Sequence, residues 1–200
     1  MNKSLSTWIA TVGLSICAAG CSTSASTSTA ASGNALTGSG PLTPDATREI
    51  ESGYRASIDR FIASTPGSRE LVAKAQGVLV FPRVIAAGLV VGGQYGRGEL
   101  KVGGVADGYY ETTSASLGLQ IGAESRAMVF LFMTQDALDR FRSGRGWAGG
   151  IDASVAVLKV GANGDIDANT ARAPTIAAVM TNSGLMANVS LQGTKVTRIQ

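Results

Sequence analysis

The sequence contains no histidine, and that absence removes imidazole chemistry. Ser-His-Asp and Cys-His catalysis go with it, as do His-ligated metal centres. Cysteine is almost as scarce: Cys17 and Cys21 are the only two, both near the N-terminus. No disulfide framework or Cys-rich zinc site can therefore hold the main body. Charge is thin, with 17 Lys+Arg against 14 Asp+Glu. A net charge of +3 without a basic run is too mild for a dedicated nucleic-acid binder. Proline numbers five against 26 glycines. With no G-X-Y period, that balance excludes collagen and points to tight turns and close backbone contacts. What is present is apolar: 44% hydrophobic residues in a chain of 200 exclude a disordered polyelectrolyte and suit one domain with appendages.

Residues 1–21 read as an export signal. Lys3 supplies a short positive region, and Leu5 to Ile16 form an apolar run too short to span a bilayer, which needs about 20 residues. Ala18-Ala19-Gly20-Cys21 follows and resembles the lipobox of bacterial lipoproteins, in which the cysteine is diacylated and becomes the new N-terminus. Cys17 fits less well because the bulky Ile16 precedes it. The competing reading is an ordinary secretory peptide, with Cys21 incidental. A cysteine at this place in an otherwise cysteine-free mature chain favours the lipoprotein. Ser22 at the next position resembles the sorting pattern for the outer membrane.

Residues 22–43 are almost entirely Ser, Thr, Ala and Gly. Such a segment buries too little apolar surface to offset its ordering entropy and reads as a flexible tether. The folded domain is expected over residues 44–200.

Thr43-Pro44-Asp45 is a helix start: a capping hydroxyl, Pro at the first helical position and an acid in the first turn. Ile50, Tyr54, Ile58, Phe61 and Ile62 recur on one helical face, with Glu51 and Arg55 as an i,i+4 pair on the other. Pro66-Gly67 ends this helix, and Ser68 is a cap for a second short one running to about Ala75. The first helix has two fates open to it, on a membrane or against the domain's own sheet. From Gly77 the pattern changes to strands. The expected ones are 78–81 ended by Pro82, 87–94, 99–105, 109–113, 116–123 and 127–133. Thr134 caps a helix over 135–142, with Asp136 and Arg140 at i,i+4. Strands over 147–160, 175–182 and 186–199 complete the chain, the last broken at Gly193. Asp107-Gly108 and Asn163-Gly164 are hairpin signals. The predicted class is α+β: a strand-rich, mostly antiparallel, curved or barrel-like sheet with two N-terminal helices and one inserted helix.

Several motifs fail on inspection. Gly92 to Gly98 lacks the Gly-Lys-Ser/Thr ending of a phosphate loop and leads into a strand pattern rather than a helix. Asp165-Ile166-Asp167 opens like a calcium loop, but Thr170 and Ile176 stand where glycine and glutamate are required. There is no nucleophile elbow and no Ser-x-x-Lys dyad. Glu99, Glu111 and Glu124 are acids that only tertiary structure can bring together for glycoside cleavage, and nothing in the sequence points to them. No enzyme, cofactor or metal site is expected.

The ordered set Gly77-Val78-Leu79-Val80-Phe81-Pro82-Arg83-Val84, Ala87-Gly88 and Gly92 to Gly98 resembles the signature of the SYLF domain. The likeness continues through Leu117 to Gly122, Ser183-Gly184-Leu185-Met186-Ala187 and Ser190-Leu191-Gln192-Gly193. It covers about residues 45–200. Two places depart: Ala86 stands where members often carry lysine, and Tyr109-Tyr110-Glu111-Thr112 replaces a Trp-Ser-x-Pro pattern. The resemblance implies a domain associated with phosphoinositide membranes and, in fungal members, with actin filaments. Bacterial members are mostly exported proteins or lipoproteins.

The reading that follows is an outer-membrane lipoprotein, lipid-anchored at Cys21 and facing the periplasm, whose domain binds lipid or an anionic membrane surface. The expected lipid-binding residues are Arg83, Arg97 and Lys101, cations beside apolar positions in the most recognisable part of the resemblance. The alternative is a structural or scaffolding envelope protein that contacts an envelope or host protein, marked by an exposed apolar patch. A weaker third reading, an envelope hydrolase, requires a cleft with convergent acids. Each acyl CH₂ buried contributes about 0.8 kcal/mol, so a multiply acylated Cys21 holds the chain on membranes. Cys21→Ser should release the protein into the soluble fraction; retention after a carbonate wash would contradict the acyl anchor.

Overall fold

The computed structural model describes residues 41–88, 91–117, 122–144, 147–148, 155–160, 166–181, 184–186 and 189–199. The expected signal, Cys21 and most of the tether lie outside them, as do Asn163-Gly164 and Asp165. Helix α1 spans Pro44–Ser64, and the Thr43 hydroxyl accepts a hydrogen bond from the Ala46 amide at 3.3 Å, as the capping pattern requires. Its buried face is Ile50, Tyr54, Ser57 and Phe61, turned onto the sheet; of the two fates open to it, α1 takes packing against its own domain. Glu51 does not pair with Arg55 on an outer face; its Oε1 accepts from the Tyr109 hydroxyl at 3.4 Å. In α2, Ser68–Lys74, Gly67 is the cap at φ 77° and Ser68 is the first helical residue. The Ser68 hydroxyl instead donates back to the carbonyls of Thr65 and Phe61, tying α2 to the end of α1.

Among the described residues nine strands follow: β1 Gly77–Gly88, β2 Val91–Val102, β3 Val105–Leu117, β4 Gly122–Phe132, β5 Trp147–Ala148, β6 Val155–Val157, β7 Thr175–Thr181, β8 Gly184–Leu185 and β9 Thr194–Arg198. They form one strongly curled sheet, a half-barrel, in the order β5-β9-β3-β2-β1-β4-β7-β6, with β8 paired to β7. All pairings are antiparallel except β6 with β7. Helix α3, Gln135–Ser143, lies after β4, with the Thr134 hydroxyl capping Ala137. A fourth helix of one turn, α4 Ala168–Ala171, was not expected from the sequence. Asp167 is its cap, its Oδ2 accepting from the Thr170 amide at 3.2 Å.

Strand boundaries differ from the sequence pattern in an instructive way. Residues 87–94 and 116–123 each read as a single strand, yet the first straddles the junction of the antiparallel pair β1 and β2, and the second straddles the passage from β3 to β4, which lie apart in the sheet. The β2–β3 turn falls at Gly103-Gly104, both at positive φ, as a two-residue hairpin turn requires. Asp107-Gly108 lies inside β3 at a bulge. There the Asp107 carboxylate accepts from Arg142 at 2.6 Å, the ion pair that ties α3 to β3 in place of the expected pairing of Asp136 with Arg140. The 147–160 stretch gives two short strands at opposite ends of the sheet; of the segment 186–199, Thr194–Arg198 is the one strand among the described residues, and Gly184–Leu185 forms another just ahead of it.

β1 sits mid-sheet with apolar residues on both faces. Val78 and Val80 join Phe61, Leu71, Val129 and Ile176 in the core beneath α1 and α2. Leu79, Phe81 and Val84 join Met128, Phe130 and Leu138 in the core on the α3 face. On that side Phe141 lies with its ring 4.8 Å from those of both Tyr110 and Phe132. Pro82 does not end β1. It sits in a bulge where three residues of β1 advance against two of both neighbours, Val80/Arg83 against Glu99/Arg97 and Phe81/Val84 against Met128/Arg126. A bulge is where a mid-sheet proline, which lacks an N–H for the ladder, is tolerated.

Opposite this bulge β2 carries Gly98, where an added Cβ would run into the Val80 carbonyl and lie 2.7 Å from the Phe81 ring. At Gly93 an added Cβ meets only the Ser114 carbonyl, at 3.6 Å. Gly98→Ala should therefore cost about 1–3 kcal/mol, as overpacking does, whereas Gly93→Ala stays near neutral. Thermal midpoints of the two variants check this; equal midpoints would contradict it.

Candidate functional site

The bulge decides which way the cations of β1 point. Before it, even-numbered residues face α1; after it, the phase reverses, so Val84 enters the α3-side core and Arg83 and Ile85 face the α1 side. Arg83 is then the direct cross-strand partner of Arg97 on β2. Between these strands and the first turns of α1 runs a groove of about 330 Å³. Glu49 and Ile50 line it from α1, Pro82 and Ile85 from β1, and Tyr95 from β2, with Arg83 and Arg97 among its walls. Gly53 lets α1 lie close over the bulge, since a Cβ there would come within 2.6 Å of Pro82.

The two guanidiniums differ in their setting. Arg83 is well exposed and pairs with Glu49 at 3.6 Å, with side-chain exposures of 67% and 70%. A pair that open to water is worth about 0–1 kcal/mol and leaves the cation available to a competing anion. Arg97 is half-buried; its Nε donates to the Tyr95 hydroxyl at 2.7 Å. Across the next strand it faces Glu111. Arg97 falls between the expected strands 87–94 and 99–105, yet it sits in the middle of β2.

Lys101 does not join them. Its side chain is 17% exposed, with Nζ 4.6 Å from the centre of the Tyr54 ring and 3.6 Å from Oε2 of Glu99. It shares the strand face of Arg97 by parity, but α1 covers that end of the face and turns Lys101 into an internal counter-ion. Glu99 is the group it serves. This carboxylate is fully buried and neither oxygen has a hydrogen-bond partner. Burial pushes its pKa above the ordinary carboxylate range, Glu51 adds to the rise, and Lys101 opposes it. The Tyr54 phenol is also raised, by burial first and by Glu99 second.

The three acids considered for hydrolysis do not converge. Glu99 lies under α1, Glu111 faces Arg97, and Glu124 lines a hollow on the opposite face of the sheet. No helix among the described residues is long and apolar enough to cross a membrane.

Residues 113–200, from within β3 to the C-terminus, match the Ysc84 family, described as Las17-binding protein actin regulator. This match is to the SYLF family, and it falls inside the stretch whose motifs resemble that family. No curated protein matches the chain. The SYLF family is associated with lipid and with actin. The matched segment includes β4, α3 and all later elements, whereas the Arg83–Arg97 groove lies ahead of it.

Glu99 has a pH consequence. A carboxyl whose folded pKa is raised contributes stability that is fully present below its unfolded pKa and is lost as pH rises through the folded value. The thermal midpoint of the parent should therefore fall relative to Glu99→Gln as pH rises through and above the usual carboxylate range. The gap should widen between about pH 4 and pH 8. A gap that stays constant over that range would show that Glu99 titrates normally.

Proposed function

We propose that the protein is a lipoprotein anchored through Cys21 in the outer membrane, facing the periplasm, whose SYLF domain binds anionic lipid through Arg83 and Arg97 without catalysis. The observation that carries this reading is the pairing of those two arginines beside an apolar groove that opens at the first turns of α1. Two cations directly opposite each other repel across a strand pair. An anionic head group relieves that repulsion, and Ile50, Pro82 and Ile85 give the adjoining apolar contact. The tether enters at the same end of α1.

The protein-contact alternative predicts an exposed apolar patch. Among the described residues Val105, 71% exposed at the Gly103-Gly104 turn, is the one large hydrophobic side chain in that state, and a single valine is not a patch.

Each basic group near an anionic surface contributes about 1 kcal/mol, falling off within a Debye length. Arg83→Ala with Arg97→Ala, in the unacylated Cys21→Ser background, should weaken sedimentation with anionic liposomes by about tenfold or more at low salt. Lys101→Ala should lower the thermal midpoint and leave sedimentation unchanged. A double variant that binds as the parent does would remove the groove from the lipid surface.

A further inference from the structure

The face of the sheet away from α1 carries a second hollow, of about 300 Å³, between β1–β4 and the residues Met186, Val189, Ser190, Gln192 and Thr194. The register sets Glu124, Ala86, Gln94 and Ser114 side by side in its wall across β4, β1, β2 and β3, and Arg126 lines it from the next position on that face of β4. Arg126 is half-buried, its Nε is shielded from solvent without a hydrogen-bond partner, and no carboxylate pairs with it among the described residues. A guanidinium whose Nε is shielded from water without an acceptor is under-solvated there, and an arriving anion supplies the acceptor. Glu124, two residues along β4 on the same face, is exposed and forms no ion pair with Arg126. It repels a polyanion and attracts an ammonium. Gln94 spans the opposite wall, its Nε2 donating to the Thr194 hydroxyl at 3.3 Å. The volume stands at the lower end of small-molecule sites, about 300–1,000 Å³.

We infer that this hollow is a binding site for a small zwitterion, its anionic group on Arg126 and its primary ammonium at Glu124. The site is separate from the Arg83–Arg97 groove and does not depend on the lipid reading of it. Two sources share this chemistry: a soluble compound with one anion and one amine, and the head group of an aminophospholipid. The phosphate of phosphoethanolamine carries the anion in either form.

Calorimetry with the unacylated Cys21→Ser chain, using free O-phosphoethanolamine, inorganic phosphate and ethanolamine as probes, tests the inference. Phosphoethanolamine should bind more tightly than either fragment. Arg126→Gln should weaken it about tenfold or more, as expected for lost charge-assisted hydrogen bonds. Glu124→Gln should weaken it roughly threefold while leaving phosphate no weaker, as expected for an exposed charge pair. Arg83→Ala with Arg97→Ala should bind it as the parent does, which keeps this result distinct from that of the groove. Vesicles of phosphatidylcholine with and without phosphatidylethanolamine separate the sources. A preference for the ethanolamine lipid that Arg126→Gln abolishes assigns the head group, and binding of the free probe without that preference assigns a soluble zwitterion. Failure of phosphoethanolamine to bind, equal affinity for phosphate and phosphoethanolamine, or unchanged binding by a folded Arg126→Gln overturns the inference.

Discussion

The bulge at Phe81-Pro82 is the constraint on which the arrangement of this domain depends. β1 is the shared strand of β2 and β4, and both partners change register there. Before the bulge, alternation sends Val78 and Val80 to the helices and Leu79 and Phe81 to the other core. Unbroken alternation would carry Arg83 into the α3-side core and put Val84 outside. The extra residue inverts the phase, so Val84 is fully buried and Arg83 is exposed. Neighbouring residues accommodate the distortion: Gly98 clears the β2 side and Gly53 clears α1.

The helix that closes over β1 and β2 lies across a polar cluster as well as an apolar one. Phe61 and Tyr54 bury apolar surface against Val78 and Val80, yet Tyr54 also lies over Lys101, which faces the buried Glu99. An isolated carboxylate in that position would be strongly unfavourable; a nearby ammonium reduces the penalty without removing it. Arg83 and Arg97, at the first turns of α1, and Arg126, on the opposite face of the sheet, lie beyond the reach of this packing. The curled sheet thus offers two chemically different surfaces. One is a groove with two opposed cations, and the other is a hollow with one cation and one anion on a single strand.

Local chemistry makes several elements legible in the sequence. The capping hydroxyls Thr43 and Thr134 each do what their positions imply, because a cap is an interaction over three residues. The breakpoints between strands are not legible in this way. A long apolar run through two arms of a hairpin has no change of period at the turn, so 87–94 reads as one strand. Between Gly103-Gly104 and Asp107-Gly108, local preference leaves two turns four residues apart. Pairing of β2 with β3, which buries Leu100 and Tyr110 fully, selects the first. The one-turn α4 is too short for a periodic signal and rests on a single cap at Asp167.

The functional surface divides in the same way. The sequence by itself determined the classes of chemistry available: no imidazole, no thiol in the body, and a few cations beside glycine-rich strands. It also grouped Arg83, Arg97 and Lys101 as one set of cations. Tertiary structure alone decided that Lys101, on the same strand face as Arg97, is an internal counter-ion, because covering by α1 is a contact between segments almost fifty residues apart. It decided too that Arg126 and Gln94 share a hollow, since only β1 between their strands brings them to one face. Strand parity is a local property that the chain carries with it. Burial and pairing across a curled sheet depend on register, and in this domain one bulge sets the register.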